Sequence, residues 1–267
     1  MNDPFDFRGR HVFVAGGSSG INLGIADAFA QRGAALSILS RSQGRIDAAL
    51  QQLRRHGGEA AGHSADVRDA GAVGEALQQA HARFGAIDVL VSGAAGNFLA
   101  PALGMSANGF KTVIDIDLLG SFNVLRGAHE FLRKPGASVI SISASQAFVP
   151  TPYQVHVCAA KSGVDMLTRV LAMEWGGDGI RVNSIVPGPI EGTEGIRRLA
   201  PNDAERERMT ERVPLRRYGS VDDIAGIAMV LSSPLGAYIT GVVLPVDGGI
   251  SLSGPRDFGA AWAATRR

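Results

Sequence analysis

The chain of 267 residues has a single cysteine, Cys158, so no disulfide can close within it, and it reads as a protein of a reducing compartment. It has no apolar run near the roughly 20 residues that cross a membrane. Met1 to Gly9 carries acidic and aromatic residues unlike a signal peptide, and the final Thr265-Arg266-Arg267 lacks a peroxisomal tripeptide signal. A cytoplasmic location is therefore expected. Charge of either sign is scarce: the net is +1, and basic residues gather only between Arg197 and Arg217, so no field for nucleic acid arises. No metal is expected. The natural partner is a small molecule, with neither nucleic acid nor membrane.

What is present is a chain with 45% hydrophobic residues, enough for one large core, and it predicts one domain over residues 1–267. His11 to Ala15 is a short β-branched apolar run, Gly16-Gly17-Ser18-Ser19-Gly20 breaks it, and Ile21 to Arg32 resumes with helical periodicity. The same alternation continues. Strands are predicted at Ala35 to Ser40, Glu59 to Ala65, Ile87 to Ser92, Val139 to Ser143, Arg181 to Val186 and Val242 to Pro245. Helices are predicted at Gln43 to His56, Ala70 to Phe84, Ser106 to about Lys134 with a bend near Gly120, from Gln154 to about Trp175, and Val221 to Leu231. Such regular βα alternation implies an α/β fold: a single-domain, Rossmann-like, doubly wound parallel sheet of about seven strands with helices on both faces. The segment 190–217 has no strand pattern, many charges and several breakers, and is read as a substrate lid.

The glycine turn after the first strand lets the backbone approach a pyrophosphate, which then sits on the free N–H groups of the following helix. Gly16 and Gly20 have that spacing, but Ala15 replaces a usual threonine and Asn22 stands at a third glycine position. Asparagine tolerates unusual backbone angles, so the turn is expected to survive. At the end of the second strand an acid would bind a ribose 2′-hydroxyl, whereas an arginine favours a 2′-phosphate. The chain has Ser40-Arg41-Ser42 there, so NADP(H) is expected, with Arg41 on the phosphate. Asp66 is placed to meet the adenine or, equally, to cap the next helix.

From Gly16 through Ser92-Gly93-Ala94-Ala95-Gly96, Lys161 and Pro187-Gly188 to Asp247-Gly248-Gly249, the chain resembles the short-chain dehydrogenase/reductase family. More narrowly it resembles the peroxisomal type of 2,4-dienoyl-CoA reductase, in Ala94-Ala95-Gly96-Asn97-Phe98, Phe110-Lys111-Thr112-Val113, Asp115-Ile116-Asp117, Gln154-Val155-His156 and the run from Pro187 to Gly195. The family's usual Asn, Ser, Tyr and Lys fall here at Asp117, Ala144, Val157 and Lys161. An ordinary carbonyl reductase needs an acid beside the oxygen it protonates, and Val157 has no proton to give. The resemblance implies a different reaction: hydride from NADPH adds to the far end of a conjugated diene, and the thioester enolate is protonated at the α carbon to leave a 3-enoyl-CoA, a step of unsaturated fatty-acid β-oxidation. Asp117, through a water, and Lys161 are the implied catalytic residues. The resemblance also implies cofactor contacts at Gly16, Ser18, Ser19, Gly20, Ile21, Arg41, Asp66, Val67, Ala94, Lys161, Pro187, Gly188, Ile190 and Thr193. Substrate contacts are implied at Asn97, Phe98, Ser143 and Gln154. An acyl-CoA partner and a homotetramer follow, with the Lys161 helix and the Ser106 helix in the interface.

Other readings stand beside these. Asp117 could be a buried helix-bend carboxylate, His156 a partly buried core histidine, and the arginines from Arg197 to Arg217 either CoA-phosphate contacts or one exposed face of a lid helix. Tyr153 would be the replacement acid of a carbonyl or alcohol oxidoreductase, although it lies more than two turns before Lys161. A non-catalytic NADP-binding sensor is the third possibility, and the carboxylate at Asp117 is the feature that argues against such decay.

Overall fold

Short β-branched and leucine-rich runs form seven parallel strands in the computed structural model of the chain, which describes residues 3–193, 196–197, 200 and 202–252. Glu194 and Gly195 of the resemblance, Arg198 of the basic run and the terminal Thr265-Arg266-Arg267 lie outside the described residues. The strands are β1 (His11–Ala15), β2 (Ala35–Ser40), β3 (Ala60–Ser64), β4 (Val89–Ser92), β5 (Ser138–Ile142), β6 (Arg181–Pro187) and β7 (Val243–Val246). They pair in the order β3-β2-β1-β4-β5-β6-β7, every pair parallel. The helices are α1 (Gly20–Gln31), α2 (Gln43–Leu53), α3 (Ala70–Phe84), α4 (Ala107–Val113), α5 (Gly120–Ala128), α6 (Val155–Trp175), α7 (Asp203–Arg212) and α8 (Val221–Ser232).

Side chains alternate across a strand, so β1 feeds two cores. Val12 and Val14 pack with Ile25, Phe29, Ile46 and Ile224 under α1, α2 and α8. Phe13 and Ala15 pack with Leu77, Leu125 and Trp175 under α3, α5 and α6. With both faces covered, β1, β4 and β5 are buried at every position, which is why they read as continuous apolar runs rather than alternating ones. Beneath the strands' amino ends the buried Asp88 carboxylate gathers Arg10 (2.8 Å), the backbone N–H of His11 (2.9 Å) and Arg133, tying β1, β4 and the approach to β5 together. Because β1 lies between β2 and β4, the chain reverses direction across the sheet there, and a crevice opens at the carboxyl ends of these strands.

The long helix expected from Ser106 to about Lys134 is divided. After α4 comes one π-helical stretch, Ile114–Leu119, before α5 begins at Gly120. The irregularity thus falls beside Gly120, near where the bend is expected; Gly120 itself is helical, and a Cβ there would come within 2.6 Å of Val67, so glycine serves close packing. Ile87 contributes only a bridge to Leu132, and β4 starts at Val89. Within 190–217 the described residues hold α7, capped by the Asn202 side chain on the Glu205 N–H (2.9 Å). Among the described residues no helix is long and apolar enough to cross a membrane.

Candidate active site

The crevice begins at the β1–α1 turn. Gly16 has φ +79°, and a Cβ on it would lie 2.9 Å from the backbone nitrogen of Ala94, so the turn can press against the end of β4 only with glycine. Ser19 precedes α1 without a side-chain cap, which leaves the first N–H groups of the helix for a ligand. Asn22 works differently from the sequence expectation. It lies within α1 at ordinary helical angles, and its Nδ2 donates to the Gly93 carbonyl (2.7 Å), bracing α1 against β4. Gly24, just beyond, is where glycine is required, since a Cβ would meet Val221 at 2.7 Å.

Beside this turn lies a cavity of about 220 Å³ reached by Gly16, Ser18, Ser19, Arg41, Asp66, Val67 and Ala94, together with Arg45. Ser18 donates to Ser40 across the end of β2 (2.7 Å), and no acid stands at that strand end. The Asp66 carboxylate is held below the ordinary carboxylate range by its hydrogen bond from Arg68, with Arg41 also within 3.8 Å. The cap of α3 is Asp69, which accepts from Gly71 and Ala72, so the capping alternative for Asp66 is excluded. Two arginines in the lining suit the phosphates of a dinucleotide, and the cradle a Cβ would fill at Gly16 suits its pyrophosphate. The buried Asn22 Oδ1, without a hydrogen-bond partner, lies where this cavity meets a second one.

The second cavity, about 410 Å³, is lined by Gly20, Ile21, Asn97, Ser143, Pro187, Gly188, Ile190 and Thr193, with Asp117 and Lys161 at its centre. Asp117 is 1% exposed and sits within the π-helical stretch. The extra residue of a π-turn redirects the side chains around it, a device frequent at functional sites. Asp115 faces out and pairs with Lys111, while Asp117 turns in. Its Oδ1 accepts the Gly96 N–H at 2.7 Å, and its Oδ2 is 3.4 Å from Lys161 Nζ. Lys161 also donates to the Ile142 carbonyl (3.1 Å) at the end of β5. One turn along α6, Asp165 is buried against Ser184 (3.2 Å), and burial pushes its carboxyl up from the ordinary range. Asp117 and Lys161 are the only ionisable residues among the described lining of this cavity, and Val157 and Ala144 present hydrocarbon to it. Tyr153 is exposed on the turn before α6, and the buried His156 meets Phe98 edge to face (4.4 Å between ring centres); none of the three lines it. Gln154 is buried behind the wall, and Thr193 braces its own turn through the Ile190 carbonyl (2.8 Å).

A family described as enoyl-(acyl carrier protein) reductase matches residues 15–251. A peroxisomal 2,4-dienoyl-CoA reductase of Arabidopsis thaliana, named as producing (3E)-enoyl-CoA, is 44% identical over 272 aligned positions, covering 96% of this chain and 90% of that protein. One from Rattus norvegicus with the same name is 45% identical over 250 positions, covering 93% and 86%. Among solved structures, a short chain dehydrogenase from Bacillus anthracis superposes with a TM-score of 0.83 at 34% identity, covering 93% of this chain and 99% of that one. The chain belongs to the short-chain dehydrogenase/reductase family. Members use a nicotinamide cofactor, and the crevice at the β1–β4 reversal is where this fold binds one.

Against the family pattern, the structure brings Asp117, Ala144, Val157 and Lys161 into one cavity. Four contributors were not among the expected site residues. Arg45 lies four residues beyond Arg41, in the first turn of α2, a spacing that could have flagged it. Gln146 lines the cavity on the β5 loop, and Met209 of α7 with Ile196 brings the lid segment onto it. No sequence signal marks Met209 as different from any other apolar residue of a charged helix.

Proposed function

We propose that the protein reduces 2,4-dienoyl-CoA thioesters with NADPH, giving 3-enoyl-CoA. The observation that carries this reading is the cavity whose ionisable lining, among the described residues, is Asp117 and Lys161 alone, with hydrocarbon where a hydroxyl acid would stand. A carbonyl reductase protonates oxygen and needs that acid in contact; protonating a carbon through water does not. The nicotinamide, when bound, supplies the hydride. Lys161 then places positive charge beside the oxyanion that develops on the thioester. Asp117, which accepts from the Gly96 N–H and pairs with Lys161 at 3.4 Å, orients a water toward the α carbon. Val157, Ile190, Ile196 and Met209 exclude bulk water. Ser143 and Asn97 meet the thioester end, and Ile196 and Met209 of the expected lid segment meet the acyl chain. Relatives named 2,4-dienoyl-CoA reductase support the substrate class.

For the cofactor, Arg41 and Arg45 at the end of β2 favour NADPH over NADH. Leu119 and Phe122 beside α5, and Met166, Val170 and Met173 on α6, expose an apolar face that supports a homotetramer. For location, the relatives named peroxisomal favour the peroxisome, in a cell that has one, over the cytoplasm. The test is NADPH oxidation with 2,4-hexadienoyl-CoA, with the product's double bond located by NMR. A 3-enoyl product is expected; no turnover with any dienoyl- or enoyl-CoA despite NADPH binding would overturn the reading.

A further inference from the structure

A buried amide that touches neither cavity links two side chains that do. Gln154 is 2% exposed and lies outside the lining of the larger cavity. Its Nε2 donates to Asn97 Oδ1 (3.2 Å), and its Oε1 accepts from Gln146 Nε2 (2.8 Å). Asn97 comes from the loop after β4 and Gln146 from the loop after β5, so one side chain ties two separate segments of the cavity wall. The backbone is spent on the same contact. Tyr153 takes φ 66°, an uncommon angle for a bulky residue, in the turn that sends Gln154 inward. The Tyr153 carbonyl accepts the Ala100 N–H (3.0 Å), and Phe98 rests on His156, so the Asn97 loop is fastened to the start of α6 at three points.

We propose that Gln154 is a positioning residue: by fixing the side-chain amides of Asn97 and Gln146 it sets how the acyl thioester is held in the cavity. The inference rests on the function proposed above. The amide at position 154 donates to one neighbour and accepts from the other at once; a carboxylate only accepts and a hydrocarbon does neither. With Asn97 held by its oxygen and Gln146 by its nitrogen, Gln154 fixes both amides where they line the cavity. A buried relay of this kind specifies one arrangement when every link is made.

The test compares wild type with Gln154→Leu and the isosteric Gln154→Glu, alone and combined with Asn97→Ala and Gln146→Ala. The measurements are kcat and KM for 2,4-hexadienoyl-CoA, the Kd of that thioester for the protein–NADP⁺ complex by calorimetry, and the Kd of NADPH. Each Gln154 variant is expected to lower kcat/KM and weaken thioester binding about ten-fold, the scale of one hydrogen bond, with NADPH affinity unchanged. In the Asn97→Ala, Gln146→Ala background the same change is expected to move kcat/KM and thioester binding less than about two-fold, because the groups it positions are gone. An equal loss in both backgrounds, a matching fall in NADPH affinity, or full activity of Gln154→Glu overturns the inference. Should wild type bind the thioester without turning it over, the proposed reaction fails, while the binding cycle still decides the role of Gln154.

Discussion

Replacing Asp117 by asparagine is the sharpest perturbation of the site, because it changes one atom. With the Gly96 N–H, 2.7 Å from Oδ1, keeping its acceptor, the atom 3.4 Å from Lys161 Nζ becomes an uncharged N–H₂. Two unit charges at that separation attract by about 5 kcal/mol at an effective dielectric constant of about 20. Most of this offsets the cost of burying them, so the measurable quantity is the penalty for leaving Lys161 without its counter-ion, about 3–5 kcal/mol for a buried pair. Lys161 lines a cavity that admits water, which places the expected loss at the lower end, about 3 kcal/mol, or roughly 6–12 °C in melting temperature for a chain of this length. Activity is expected to fall further than stability explains: loss of the group that orients the proton-delivering water removes on the order of 10²–10⁴ from kcat. The Kd of NADPH should hold within a few fold, since Asp117 is absent from the cavity of Arg41 and Arg45. The assay is kcat at saturating 2,4-hexadienoyl-CoA, measured at a temperature well below the variant's melt and beside a urea titration. Wild-type kcat in Asp117→Asn would refute the proton role, and unchanged melting would refute the account of the ion pair.

Four further outcomes follow from charge and burial. Arg41→Ala and Arg45→Ala are each expected to weaken NADPH binding by about 1.5–3 kcal/mol, roughly 10- to 100-fold, and to leave NADH binding unchanged; fluorescence titration with both cofactors checks this, and equal losses for the two would remove the arginines from the phosphate. Burial alone would raise the Asp88 carboxyl, but hydrogen bonds from Arg133, the His11 N–H and Arg10 hold it below the ordinary value, so its contribution to stability is present above about pH 4 and is lost as pH falls through the lower folded value. Asp165 is shifted the other way by burial, so its penalty is absent below about pH 4 and grows as pH rises through the folded value; Asp165→Asn should raise the melting temperature at pH 8 and lose that advantage in acid, and a stability difference independent of pH would contradict the assignment. Met166→Glu and Val170→Glu, on the exposed apolar face of α6, should dissociate the assembly in sedimentation at an unchanged helix content.

The strands were legible because parallel strands covered on both faces must be apolar throughout: β2 (Ala35–Ser40) and α3 (Ala70–Phe84) have the bounds their patterns predict. The ends were less so. Ile87 is apolar and β-branched, yet its backbone pairs only with the segment before β5, donating to the Phe131 carbonyl and accepting from the Arg133 N–H, and periodicity carries no record of that. The irregularity after α4 was expected near Gly120 and ends beside it; its nature, one extra residue in the turn Ile114–Leu119, leaves the composition unchanged and the apolar spacing only slightly shifted.

That displacement matters most at the site. Asp115 and Asp117 are two apart, so in a regular helix they diverge by more than half a turn, and sequence alone does not say which of them faces in. The π-helical stretch decides it, holding the Asp117 carboxylate on Gly96 and Lys161 while Asp115 stays with Lys111. Lys161 was readable because four-residue spacing from Val157 places both on one face of α6; Gln154 was readable only as a residue type, since its partners Asn97 and Gln146 lie 57 and 8 positions away. A site assembled from strand ends therefore shows its helical members in the sequence and conceals its cross-wall ties. Substitutions that keep the helical members but sever such a tie should lose substrate affinity before cofactor affinity, and that ordering separates a positioned site from a merely folded one.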